Sequence, residues 1–114
     1  MRFGKRRQES LLDAGKVDLV AESADGIIEL VVVQDQQWTG SDAQLTSLQE
    51  KVQTYVSFAV DGGLVQQFPE AAGRSWRIVI NCLSGEPDGR TQSVLDVLAT
   101  RLPNYGGSLL VRTG

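Results

Sequence analysis

Between Ile27 and Val33 the chain reads Ile-Ile-Glu-Leu-Val-Val-Val, seven residues in which only Glu29 is polar. A run this short and this rich in β-branched side chains reads as a strand, and because strand side chains alternate, both of its faces must leave water. Upstream, Val17, Leu19 and Ala21 alternate with Asp18 and Glu22, the pattern of a strand with one buried face. Ala24-Asp25-Gly26 lies between the two, and an Asp-Gly pair supplies the positive φ angles of a tight hairpin. The first two strands are therefore expected to pair antiparallel.

Downstream the period changes from two to 3.6. Ser41 followed three residues later by Gln44 matches a capping box, and Leu45, Leu48, Val52, Val56 and Ala59, with Tyr55 at the margin, mark the buried stripe of a helix that Asp61-Gly62-Gly63 ends. Leu64–Phe68 is expected to be a short strand, and Pro69–Gly73 a turn. Trp76, Ile78, Ile80 and Cys82 alternate with Arg77, Val79 and Asn81, the clearest strand in the chain. After a Gly- and Pro-containing loop, Asp88 caps a helix that turns Val94, Leu95, Leu98 and Leu102 inward and stops at Pro103. Gly106-Gly107 leads into a last strand over Ser108–Arg112. The expected order is ββαββαβ, an α+β two-layer sandwich with both helices on one face of a mainly antiparallel sheet.

The chain of 114 residues contains no histidine and one cysteine. That excludes Ser-His-Asp and Cys-His nucleophile systems, the usual Cys/His zinc sites and an intramolecular disulfide. The carboxylates Asp35, Asp42, Asp61, Glu70, Glu86 and Asp88 stand at element ends, where turns and caps account for them, and their spacing matches no metal or acid–base motif; no metal or cofactor is expected. Charge is uneven: Arg2, Lys5, Arg6 and Arg7 face only Glu9 in the first ten residues, while the rest carries seven bases and thirteen acids. Residues 1–15 are expected to be a basic, disordered tail and residues 16–114 one α+β domain. The start is too polar for a secretory signal and no apolar run reaches the roughly 20 residues of a membrane span, so the expected location is cytoplasmic. Nucleic-acid binding through the tail is disfavoured by the acidic body.

Trp38-Thr39-Gly40-Ser41, Leu48-Gln49-Glu50-Lys51, Tyr55 and Phe58, Asp61-Gly62, Phe68-Pro69-Glu70 and Arg77-Ile78 recur in an order that resembles a family of small bacterial proteins catalogued only as a domain of unknown function. The resemblance covers about Lys16 to Asn81. It implies a bacterial origin and the α+β architecture, and it brings no activity, cofactor or catalytic residue.

Three places stand out as candidate sites. Measured from Leu45 at 100° per residue, the helix core falls within roughly −60° to +40°, whereas Gln44, Lys51, Tyr55 and Phe58 fall at roughly −100°, −120°, −80° and −140°. This flank lines a groove, or its aromatic rings pack under the Trp38 loop; a pocket there would join Trp38, Gln49, Lys51 and Tyr55. Second, if Ile28, Leu30, Val32, Trp76, Ile78 and Ile80 face the helices, then Val20, Ile27, Val31, Val33, Val79 and Leu110 face the other way, an apolar face for a homodimer or an unidentified protein partner unless the tail or a loop covers it. Third, Cys82 stands in phase with Ile78 and Ile80 and reads as a small buried residue. The function this supports is a non-catalytic protein-interaction or homodimerising module. The alternatives are a small-ligand-binding protein or cofactor-free enzyme using the Trp38 pocket, and a nucleic-acid accessory protein acting through its tail.

Overall fold

The Asp-Gly turn closes a hairpin as its residues require. In the computed structural model, which describes residues 19–113, strand β1 (Leu19–Glu22) runs antiparallel to β2 (Ile28–Gln34), and Gly26 takes a φ of 84° in the turn between them. Ser23 ties the turn from both sides: its N–H donates to the Ile27 carbonyl at 2.9 Å, and its carbonyl accepts from Gly26 N–H at 3.0 Å. Arg74 clamps the same turn, donating from Nε to the Gly26 carbonyl at 3.1 Å and pairing with Glu22. The register sets Glu22 opposite Ile28 and Val20 opposite Leu30. Directly opposed residues share a face, so Val20 belongs to the main core and not to the opposite face expected for it. Ile27 precedes β2 and is half-buried in the connection. The residues expected to form the basic tail lie outside the described residues.

Helix α1 (Asp42–Val60) follows, capped by Ser41 and burying Leu45, Leu48, Val52 and Val56. Its end departs from expectation: Leu64–Phe68 is not a strand, and Gly63–Gln67 forms a short helix, α2. Gly62, at a φ of 93°, reverses the chain, a conformation that costs a residue without Cβ little, and the next turn closes on itself. Gln66 N–H reaches the Gly62 carbonyl at 2.9 Å and Phe68 N–H reaches the Leu64 carbonyl at 2.8 Å. Leu64 is buried while Val65 is exposed, so one apolar side chain anchors the turn and no sheet partner is needed. Strand β3 (Trp76–Cys82), helix α3 (Gly89–Arg101) and strand β4 (Leu109–Thr113) complete the order ββααβαβ.

The missing fifth strand changes the sheet. With no strand between α1 and β3, the chain makes two strand–helix–strand crossovers, and such crossovers join parallel strands. The strand order is β1-β2-β3-β4; β2 pairs parallel with β3 and β3 parallel with β4, so among the described strands only the β1–β2 hairpin is antiparallel. The mainly antiparallel sheet expected from the sequence is thus corrected to a mostly parallel one. Crossovers of this kind are right-handed, and two that advance the same way across a sheet place both helices on the same side. One apolar cluster accordingly unites Leu48, Val52, Tyr55 and Val56 of α1 and Leu95 of α3 with Ile28, Leu30, Val32, Ile78 and Ile80 of the sheet. The α+β class is as expected, and among the described helices α1 and α3 pack on the same face. No helix among the described residues is long and apolar enough to cross a membrane.

Candidate functional site

The flank of α1 is held inward rather than offered to solvent. Tyr55 is fully buried and its hydroxyl donates to the Val31 carbonyl at 3.0 Å, tying α1 to the centre of β2. Lys51, one turn earlier, is also buried, with Nζ 5.5 Å from the centroid of the Tyr55 ring, within cation–π range. Trp38 lies in the main core and its indole N–H donates to Cys82 Sγ at 3.3 Å. Phe58 packs against the core and against Gly63, where a Cβ would stand 2.8 Å from its ring. Tyr55 and Phe58 are therefore packing residues, but the Trp38 loop does not lie over both as expected: Gln44 holds that loop at the start of α1, whereas Phe58 stands near its end against Gly63. The Gln44 Oε1 accepts from Thr39 N–H at 2.8 Å, and its Nε2 donates to the Gln37 carbonyl at 3.1 Å. Half of the expected capping box forms: Ser41 Oγ accepts from Gln44 N–H at 3.2 Å, but the glutamine reaches back to Thr39 instead of to Ser41.

Gln49 is not brought to Trp38, Lys51 and Tyr55. It lines an open groove of about 700 Å³ between α1 and α3, with Glu50 and Gln53 on one wall and Val94, Leu98 and Arg101 on the other. Cys82 is buried where its phase with Ile80 places it, and burial pushes its thiol above the ordinary value despite the hydrogen bond from Trp38. Of the carboxylates, Asp88 caps α3, accepting from Arg90 N–H at 3.1 Å and from Thr91 Oγ1 at 2.5 Å, and the Thr91 hydroxyl holds its pKa below the usual range. Asp42 pairs with Arg90 at 2.7 Å on the surface. Among the described residues, no group of three or more Cys, Asp or Glu side chains could hold a metal ion.

The face of the sheet away from α1 and α3 carries the arrangement that sequence reasoning missed. On β2, β3 and β4 its residues stand in three rows: Glu29 beside Arg77, then Val31–Val79–Leu110, then Val33–Asn81–Arg112, with Ala21 of β1 opposite Glu29. Val31, Val33 and Val79 form an apolar cluster separate from the main core, while Leu110 at the edge is 36% exposed. Glu29 is buried and accepts from both arginines, from Arg77 Nε at 2.9 Å and Nη2 at 2.5 Å, and from Arg112 Nη2 at 2.8 Å. Arg112 starts in the third row and Glu29 in the first, so their contact crosses diagonally above Val79, which is 0% exposed. Aliphatic arginine stems cover apolar surface in this way while the guanidinium stays polar-bonded. Burial pushes the Glu29 carboxyl up, and hydrogen bonds and charge from Arg77 and Arg112 more than reverse this, leaving it below the ordinary value. The lone acid in an apolar run was the available signal, since a charge buried there requires a partner; which arginine answered it depends on strand order.

Comparison with curated proteins and with solved structures finds no match. A family of unknown function, DUF6572, matches residues 9–112, a longer stretch than the Lys16–Asn81 resemblance, reaching through α3 into β4. The chain belongs to this family of unknown function.

Proposed function

We propose that this protein is a non-catalytic interaction module that pairs with a second copy of itself through the side of its sheet away from α1 and α3. The observation that carries this reading is Leu110, a large apolar side chain left 36% exposed at the edge of the sheet. On that side Val31, Val33 and Val79 are already buried within the chain, and Leu110, next to Val79 across the sheet, is the large apolar side chain a second copy would cover. The burial of Trp38, Lys51 and Tyr55 supports it from the other direction, because those side chains are engaged in packing. Light scattering at micromolar concentration is expected to give about twice the monomer mass of 12.4 kDa. A mass of one chain across the micromolar range would refute the pairing.

A second reading, small-ligand binding, is favoured by one observation, the α1–α3 groove, whose volume of about 700 Å³ is in the range of ligand sites. A ligand bound only by the folded state must raise the melting temperature, so a thermal-shift screen with nucleotides, sugars and organic acids separates the two readings.

A further inference from the structure

We infer that the groove between α1 and α3 binds a small zwitterion with an apolar body, the chemistry of a free α-amino acid with a branched side chain. This rests on the small-ligand reading above and names the class of ligand; it does not depend on pairing through the sheet. Helical period brings the lining together. Glu50 and Gln53 stand three residues apart on α1, and Val94, Val97, Leu98 and Arg101 recur at spacings of three and four on α3, so each set forms one face.

The two walls carry opposite charges, Glu50 on α1 and Arg101 in the last turn of α3. Among the described residues neither side chain has an ion-pair partner, and Arg101 is the exception among the described arginines, since Arg74, Arg77, Arg90 and Arg112 each hold a carboxylate. The apolar lining is exposed in part as well. Val97 is 47% exposed on a helix that buries Leu95 and packs Val94 and Leu98 against the core.

These features select among ligand chemistries. A carboxylate suits the Arg101 guanidinium, whose planar fork matches two oxygens, and an ammonium suits the Glu50 carboxylate. Exposed ion pairs contribute little one at a time, so binding requires both charges together with an apolar body over Val97. A polyanion such as a nucleotide would meet Glu50 and a chain of net charge −3. A sugar would set hydroxyls against Val97 and Leu98 and leave both charges unanswered. A zwitterion answers each wall with its opposite charge.

The test uses leucine and three analogues that each lack one feature: isocaproate has no ammonium, isoamylamine no carboxylate, and glycine no apolar side chain. At about 20 mM, leucine is expected to raise the melting temperature of the full chain by about 4 °C, and each analogue by less than about 1 °C. Glu50→Gln and Arg101→Gln, both at exposed positions, are expected to melt as the wild type does without ligand and to bind leucine at least about tenfold more weakly. The zwitterion is overturned if leucine gives no shift, if any analogue shifts the melt as far as leucine does, or if both variants respond as the wild type does. The groove reading fails separately. A shift produced by another compound of the wider screen and abolished by Val97→Arg keeps the groove and replaces its ligand class, whereas no such shift from any compound removes both proposals.

Discussion

Truncating Tyr55 to alanine is expected to lower the unfolding free energy by about 4 kcal/mol, the cost of removing a fully buried aromatic ring from a core that collapses only partly around the gap. Three contacts are lost together: the ring's packing between α1 and the sheet, its hydroxyl's hydrogen bond to the Val31 carbonyl at 3.0 Å, and the aromatic face beside the Lys51 ammonium. Tyr55→Phe separates the first from the second. It keeps the ring and removes one hydrogen bond to a strand carbonyl, for which about 1 kcal/mol is expected. Urea unfolding measures both as shifts in midpoint with the slope unchanged. A loss below about 1 kcal/mol for the alanine variant would show that the ring is not part of the core.

Replacing Glu29 with alanine is expected to cost about 3 kcal/mol, because two arginines gathered around one buried carboxylate lose their counter-charge together. The value sits at the lower end for a broken buried pair, since the Arg112 side chain is 47% exposed and turns to water more readily than Arg77. Acid titration adds a separate readout. The folded-state pKa of Glu29 lies below its ordinary value, so its contribution is complete above the unfolded value of about 4.3 and is lost as pH falls through the folded one. Wild-type stability should therefore decline below about pH 4 more steeply than that of Glu29→Gln, which has no charge to lose there. Glu22, held down by Arg74, Asp25, held down by Ser23, and Asp88, held down by Thr91, decline in both proteins, and the difference between the curves isolates Glu29. Parallel acid curves for the two proteins would mean that the ion cluster does not form in solution.

The candidate sites divide along the same physical line. Cys82 was legible because its phase within one strand placed it with Ile78 and Ile80. The angular position of Tyr55 and Phe58 on α1 was legible too, but not whether that flank met solvent, which depended on β2 reaching Tyr55 and on the Gly62–Gly63 turn folding back against Phe58. Leu64–Phe68 misled because five residues with three apolar side chains carry no period long enough to distinguish a strand from a turn of helix.

The amino-acid sequence by itself determined which segments are helix and strand at Ile28–Gln34, Asp42–Val60, Trp76–Cys82 and Gly89–Arg101, their ends to within a residue or two, and which side chains share a face within each. These depend on the alternation of strands, the 3.6-residue turn of helices and the local chemistry of Ser41, Gly62 and Asp88, all properties of near neighbours in the chain. Only the tertiary structure decided that the sheet is mostly parallel, that Val20 turns to the helices, and that Glu29 is answered by Arg77 and by Arg112, 83 residues away. Those outcomes depend on which strand lies beside which and in what register, and a one-residue change of register exchanges every face.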